Sequence, residues 1–163
     1  MKMMLWIAVA CLLLSGCQTA TFETLGDVSH VIATRAPNRQ VLLEFPEDAT
    51  VLTAAGTDSM YVCGDYTLYL QVMPAGDTRA TLRSLCGYDP EKLTVLESTS
   101  GAFRRLDWVW SAVGENADVV CRGAVIDDGN YHYSLCVSAD AELVGDLTQQ
   151  WNALFASFCL AES

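Results

Sequence analysis

The strongest local signal in the chain is Asp128-Gly129, between two runs that alternate apolar and polar residues. This dipeptide favours a two-residue hairpin turn, so residues 118–127 and 130–138 are predicted to be antiparallel strands. Every second side chain of such a strand pair lies on the same face of the sheet. One face is then almost entirely apolar and is the predicted core face: Val120, Ala124, Ile126, Tyr131, Tyr133, Leu135 and Val137. Arg122 is the polar exception on that face.

Upstream of this hairpin, β-branched and aromatic residues recur in short runs between turn residues. Five runs are typical of strands: residues 41–45, 59–63, 66–73, 93–96 and 103–113. Gly64-Asp65 separates two of them and suits a tight turn with glycine first. Because tight turns join neighbouring strands in antiparallel order, these runs are predicted to extend the sheet that the hairpin begins.

Two segments are predicted to be helices. Asp77 suits the N-cap of a short helix, and Gly87 suits the position just after its end. A helix of about twenty residues is predicted from Asp140 onward, with one apolar stripe: Leu143, Leu147, Trp151, Leu154, Phe155 and Phe158. The sequence therefore predicts an α+β domain over residues 39–163. Its antiparallel sheet is packed by one short helix and a long C-terminal amphipathic helix.

This order of elements resembles the Mog1/PsbP/DcrB-like family of small domains. The resemblance covers residues 41–160 and rests on the element order, the leucine-containing helix ended by Gly87, the Asp128-Gly129 hairpin and the closing aromatic stripe. The family includes bacterial lipoproteins, and its members are known largely as binding or assembly-accessory domains. The resemblance therefore implies a non-enzymatic interaction domain.

The N-terminal segment has the composition of an export signal. Lys2 precedes twelve apolar residues, 3–14. A membrane-spanning helix needs ~20 such residues, so this run is too short to stay in the bilayer. It ends in Leu14-Ser15-Gly16-Cys17, which resembles the cleavage motif of bacterial lipoprotein signals. We expect Cys17 to become the mature N-terminus and to carry acyl chains such as palmitate.

This reading divides the chain into a signal peptide over residues 1–16, a tether over residues 17–38 and the folded domain. It predicts a protein anchored by lipid to the extracytoplasmic face of the cell membrane, since more than one acyl chain suffices for stable attachment. The alternative is an ordinary secretory signal in which Cys17 occurs by chance.

The charge balance limits the partners of the chain. It has 9 basic and 20 acidic residues, for a net charge of −11. Removal of residues 1–16 would take away Lys2 and leave a net charge of −12. Such a protein lacks the basic surface that binds nucleic acid, and an anionic membrane surface repels it. Membrane attachment is therefore expected to depend on the lipidated Cys17, and a partner is expected among envelope proteins.

The cysteines of the predicted domain have several possible states. With a two-residue turn, Cys121 lies opposite Cys136, so this pair is a candidate disulfide in an oxidising compartment. Cys63 and Cys86 form a second candidate pair. The alternative in each case is buried thiols, and Cys159 would be left free or would form an intermolecular bridge. No metal site is predicted, because no C-x-x-C spacing occurs.

Catalytic patterns are weak in this sequence. A nucleophile with a histidine base would have to use His132, beside Ser134 or Cys136 on the same strand. No G-x-S-x-G motif or glycine-rich phosphate loop accompanies it. An exposed strand histidine is the favoured interpretation. The sequence predicts neither an enzyme nor a cofactor.

The aromatic residues offer an alternative function, the binding of a small apolar ligand. Such a pocket would have the sheet residues Trp108 and Trp110 with two tyrosines on one wall, and the aromatic stripe of the last helix on the other. A filled core is favoured. Arg122 either extends past the apolar residues to the edge of the sheet or pairs with an acid or a ligand anion.

Three functions follow from these patterns. We expect a lipid-anchored, extracytoplasmic interaction or accessory module without enzymatic activity. The alternatives are a small-ligand-binding domain with an apolar, aromatic pocket and, less favoured, a thiol-based enzyme using Cys159 or Cys136, which would require a depressed thiol pKa. The residues predicted to contact a ligand or partner are Arg122, Trp108, Trp110 and His132.

Overall fold

A seven-stranded antiparallel sheet organises the part of the chain that this computed structural model describes, residues 38–55, 58–113 and 118–161. The predicted signal peptide, and all of the predicted tether but its last residue, lie outside these ranges. The strands are β1 (Val41–Leu42), β2 (Thr50–Ala55), β3 (Asp58–Cys63), β4 (Tyr66–Pro74), β5 (Val95–Ser100), β6 (Phe103–Val113), β7 (Asp118–Asp127), β8 (Tyr131–Asp140) and β9 (Cys159–Leu160). The order across the sheet is β2-β3-β4-β8-β7-β6-β5, while β1 and β9 form a separate antiparallel pair.

Two short helices and one 3-10 turn complete the described residues: α1 (Thr78–Cys86), the turn Pro90–Lys92 and α2 (Val144–Ser157). Helix α1 has the predicted ends. The Asp77 carboxylate accepts a hydrogen bond from the Arg79 N–H at 3.0 Å, and Gly87 ends the helix in the left-handed conformation with φ 75°. None of the described helices is long and apolar enough to cross a lipid bilayer.

The predicted fold class is wrong. The sequence indicated an α+β domain with a long C-terminal amphipathic helix, but the described residues form mainly antiparallel sheet with two short helices. Helix α2 has 14 residues and begins at Val144, whereas Asp140, the predicted start, pairs with Val119 as the last residue of β8. Cross-strand hydrogen bonding there overrides the local capping signal, because β8 continues for the full length of its partner β7.

The predicted register of the β7–β8 hairpin is also wrong, by two residues. Four residues, 128–131, separate Asp127 from its partner His132. The wider turn is held by the Asp128 carboxylate, which accepts hydrogen bonds from the N–H groups of Asn130 at 2.9 Å and Tyr131 at 2.7 Å. A shift of two residues keeps every side chain on its predicted face, so the predicted core face is correct while its cross-strand partners change.

The two faces of the sheet have separate cores. On the face that we call the α2 face, residues of β4, β7 and β8 pack against the stripe of α2: Tyr66, Leu68, Ala124, Ile126, Tyr133, Leu135 and Val137 with Leu147, Trp151, Leu154, Phe155 and Phe158. On the opposite α1 face, Leu82 packs against Trp108 and Val125. Trp108 lies flat over Gly123, its partner on β7, where a Cβ atom would come within 2.5 Å of the indole ring.

Candidate functional site

The four predicted contact residues do not form one site. Trp108, Trp110 and His132 belong to the α1 face, whereas Arg122 belongs to the α2 face, because strand residues alternate between the two sides. The tyrosines expected to share a pocket with the tryptophans also lie on the α2 face, where Tyr133 is fully buried. The structure therefore does not assemble the predicted aromatic pocket.

The predicted exposure of His132 is wrong, since its side chain is completely buried. Its Nδ1 lies 2.8 Å from the Thr81 hydroxyl on α1. Its Nε2 has no hydrogen-bond partner among the described residues and lies 3.7 Å from an Asp127 carboxylate oxygen. The neighbouring Ser134 is buried as well, and its hydroxyl donates to the Gln71 carbonyl at 3.3 Å. His132 thus connects β8 to α1 inside the protein, away from any solvent-accessible substrate.

Trp110 and Trp108 stack on each other beneath α1. Their ring centroids are 5.9 Å apart with an interplanar angle of 21°. Trp108 is buried, and Trp110 packs against the same cluster while remaining half-buried. This packing covers the α1 face and leaves the tryptophans a structural role.

The five cysteines of the described residues are all free thiols. Cys121 faces Ser138 and Cys136 faces Gly123, so these two cysteines are diagonal neighbours on the α1 face rather than direct partners. Cys63 lies in the core of the α2 face, whereas Cys86 ends the helix on the opposite side. The structure does not bring that second pair together.

Two thiols of the α1 face, Cys121 and Cys136, have raised pKa values. Burial raises the pKa of Cys121, and burial together with the neighbouring thiols raises the pKa of Cys136 to about 12. A thiol-based enzyme requires the opposite shift. Cys86 donates its S–H to the Leu82 carbonyl at 3.0 Å, while Cys159 is exposed on β9. In the described part of the chain, no group of three or more His, Cys, Asp or Glu side chains is arranged to hold a metal ion.

Arg122 is the predicted contact residue that the structure places beside an open cavity. Its Nη1 donates to the Asn152 side-chain oxygen at 2.7 Å, and its guanidinium carbon lies 4.1 Å from the centre of the Phe155 ring. Both partners belong to α2. Burial lowers the pKa of Arg122, with Arg105 acting in the same direction and Asp107 against them. The guanidinium is thus half-buried and held against the helix.

Sequence reasoning does not single out Arg105, which joins the sheet to the end of α2. Its guanidinium makes two hydrogen bonds to Asp107, at 2.8 and 2.9 Å. It also donates to the carbonyl oxygens of Phe155 at 2.9 Å and Phe158 at 3.0 Å. Because Arg105 and Asp107 are two residues apart on a strand, their side chains are predicted to lie on the same face of the sheet. Their position beside α2 has no local signal, because it depends on packing between distant elements.

Two cavities adjoin this arrangement, and Arg105 and Ala156 line both. The first has a volume of about 440 Å³ and includes Leu96, Asp107, Arg122, Asn152 and Phe155 in its lining. The second has a volume of about 610 Å³ and is more apolar, with Leu42, Phe103, Ile126, Phe158 and Leu160. Arg122 therefore stands at the wall of a groove along the flank of α2.

Apolar residues continue outward from the groove along β5 and β6. Leu96, Val109 and Val113, which we call the β5–β6 patch, lie on the α2 face, and these residues are 70%, 58% and 91% exposed. Val109 is the direct cross-strand neighbour of Arg122, and Leu96 is the neighbour of Asp107. Helix α2 covers the middle of this face and leaves the β5–β6 side open.

Comparison with known proteins establishes the fold. No protein-family model matches the sequence, and no curated protein is significantly similar to it. Cyanobacterial PsbP from Synechocystis sp. PCC 6803 has a similar structure, with a TM-score of 0.54 and 8% identity over 77% of this chain and 95% of that chain. LpqN of Mycobacterium tuberculosis, a protein involved in cell envelope biogenesis, has a TM-score of 0.50 and 11% identity over 77% and 85%. The resemblance predicted from the sequence is therefore confirmed at the level of the fold, which is PsbP-like.

Proposed function

We propose that this chain is a lipid-anchored, extracytoplasmic accessory domain that binds another protein of the cell envelope and has no enzymatic activity of its own. The motif Leu14-Ser15-Gly16-Cys17 supports the lipid anchor. The similarity of the fold to LpqN, which is involved in cell envelope biogenesis, agrees with a position in the envelope. The buried state of His132 and the raised thiol pKa values argue against catalysis by these groups.

The proposal depends most on the β5–β6 patch. Three exposed aliphatic side chains on one side of a sheet form a surface that gains free energy when another apolar surface covers it. A membrane surface is a poor occupant, because the chain carries a net charge of −11 and anionic lipids repel it. A protein partner, held nearby by a common attachment to the envelope, fits this combination of charge and exposure.

Photocrosslinking in intact cells tests the proposal. A photoreactive phenylalanine analogue is placed at Leu96 or Val109 in the full-length chain, and a matched control carries it at Asp65, an exposed residue of the β3–β4 turn. We expect an adduct of one defined size from both patch positions, little from the control, and a loss of the adduct when Cys17→Ala prevents lipidation.

Equal adducts from all three positions, or none from the patch, would contradict a specific interface. Persistence of the adduct in the Cys17→Ala variant would contradict the dependence on a lipid anchor. Growth of the cells with radioactive palmitate provides an independent test of the lipid anchor. The label is expected in the parent chain and not in the Cys17→Ala variant.

A further inference from the structure

Arg122 has the properties of an anchor residue at an interface. The hydrogen bond to Asn152 and the contact with the Phe155 ring fix its guanidinium, so little side-chain entropy remains to be lost when a partner binds. Stacking on an aromatic ring leaves the edge of the planar group available for hydrogen bonds. Arginine is one of the residue types enriched among those that dominate the free energy of binding at interfaces.

The positive charge of Arg122 lacks a carboxylate partner within the described residues. The acid on the neighbouring strand is Asp107, but both of its oxygens accept hydrogen bonds from Arg105. Arg122 itself forms a hydrogen bond to a neutral amide and no ion pair in that part of the chain. The other five arginines of the described residues each form an ion pair with an acid. A half-buried cation without a counterion gains from an external anion.

The surroundings of Arg122 define which anion fits. Two cations line this cavity, Arg105 and Arg122, and Arg105 is already paired with Asp107. The site therefore offers one unpaired positive charge, which matches a single carboxylate better than a multiply charged group such as a phosphate. Exposed Val109 is the direct cross-strand neighbour of Arg122, and exposed Leu96 lines the same cavity, so the neighbouring atoms of the ligand should be apolar. A single carboxylate that approaches the edge of the guanidinium makes paired, charge-assisted hydrogen bonds.

We infer that Arg122 binds an aspartate, glutamate or C-terminal carboxylate of the partner protein, with apolar partner residues on either side of it covering the β5–β6 patch. This inference rests on the proposed function and specifies the chemistry of the partner. It predicts that the partner presents one acid within an apolar segment, rather than an acidic cluster.

Crosslinking from Val109 in cells provides the test, with substitutions at Arg122 added to the photoreactive chain. Arg122→Gln keeps a donor for Asn152 and removes the charge, and we expect the yield of adduct to fall about tenfold. Arg122→Lys keeps the charge without the planar pair of donors and should retain an intermediate yield. The matched control is Arg104→Gln, which removes an exposed arginine of the same strand pair that projects from the α1 face.

Different results would overturn the proposed interface and the proposed role of Arg122 in it. Absence of any adduct from Val109 in the parent chain overturns the proposed function. An adduct that forms equally in the parent and in Arg122→Gln overturns the inference and leaves the interface intact. Thermal unfolding of the purified variants completes the test, because a loss of adduct counts in favour only if Arg122→Gln unfolds within a few degrees of the parent.

The identified partner then allows a reciprocal experiment. The acid predicted to bind Arg122 is replaced by lysine, which should abolish the adduct with the parent chain, and Arg122→Glu should restore it. Restoration of the adduct supports the direct pairing of the two charges. If none of the acidic residues in the crosslinked segment of the partner changes the yield of adduct when it is replaced, the pairing is overturned.

Discussion

At the scale of single residues, Gly123 and Trp108 show how tightly the α1 face is packed. A Cβ atom at Gly123 would lie 2.5 Å from the indole ring, and that ring is buried. Gly123→Ala is therefore expected to lower the free energy of unfolding by about 1–3 kcal/mol, as overpacking does in other cores. Urea denaturation of the purified protein measures the effect.

Gly145 supplies the control for this substitution. It is an exposed residue in the first turn of α2, and a Cβ atom there would contact nothing within 4 Å. Gly145→Ala should raise the free energy of unfolding by roughly 0.5–1 kcal/mol, because alanine loses less backbone entropy in a helix. Alanine substitution at the two glycines should thus change the free energy of unfolding in opposite directions. If Gly123→Ala left that free energy unchanged, the strand would be able to move away from the ring.

The thiol of Cys136 is expected to react slowly with alkylating reagents. Burial raises the pKa of Cys136 from 9.0 to about 12. Only roughly one molecule in ten thousand then carries the thiolate at pH 8, so iodoacetamide should modify Cys136 at least about a hundredfold more slowly than exposed Cys159. Peptide mapping by mass spectrometry after timed alkylation gives both rates. In denaturing urea the difference should disappear, and fast alkylation of Cys136 in the folded protein would contradict the raised pKa of this half-buried thiol.

At the scale of elements, the β7–β8 hairpin shows what a local pattern determines. Alternation of apolar residues correctly predicts both strands and the face that enters the core, because that periodicity reflects burial on one side. The turn length is set by other groups. The Asp128 carboxylate accepts two backbone N–H bonds, and the Tyr133 hydroxyl donates to it at 3.0 Å, while Arg39 lies 3.6 Å away. Arg39 is remote in sequence, so no local motif contains this information.

Removal of that carboxylate tests its role in the turn. Asp128→Ala leaves two N–H groups and the Tyr133 hydroxyl without their acceptor, and we expect a loss of about 1–3 kcal/mol in the free energy of unfolding. Asp65→Ala, at the exposed turn between β3 and β4, should change stability by less than about 0.5 kcal/mol. Similar effects of the two substitutions in urea denaturation would show that Asp128 is an ordinary surface acid.

The contact between the sheet and α2 depends on Arg105, and its neighbour Arg104 provides a comparison on the same strand. Arg105→Met leaves half-buried Asp107 without its ion pair and two helix carbonyls without a donor, which should cost about 2–4 kcal/mol of unfolding free energy. Arg104→Met breaks an exposed pair with Glu97 and should change the free energy of unfolding far less. Equal melting temperatures of the two variants would contradict the bridging role of Arg105.

For the protein as a whole, the sequence predicts the order of the strands and helices better than it predicts their lengths. The order of strands and helices, together with the helix ended by Gly87, the Asp128-Gly129 hairpin and the closing aromatic stripe, indicated the PsbP-like fold that the comparison with known structures supports. It did not predict how far the sheet extends, because β8 runs on to Asp140 only by pairing with β7, a partner chosen by the folded structure. The candidate site shows the same division. Arg122 stands out as the one charge on the apolar face of the predicted β7–β8 hairpin, whereas the pairing of Asp107 with Arg105 depends on the position of both residues beside the end of α2.

The net charge of the chain yields the last prediction. With 20 acidic and 9 basic residues, the compact state is destabilised by self-repulsion, which salt screens. An increase from about 0.01 M to about 0.15 M NaCl shortens the screening length from roughly 30 Å to roughly 8 Å. Screening also weakens the exposed pairs of Arg79 with Glu91 and Arg83 with Asp89, but such pairs contribute little to stability. We therefore expect Tm to rise by roughly 2–4 °C, the shift that about 1 kcal/mol causes in a chain of this size. Differential scanning calorimetry at both salt concentrations measures it, and a fall in Tm would mean that the ion pairs outweigh the repulsion.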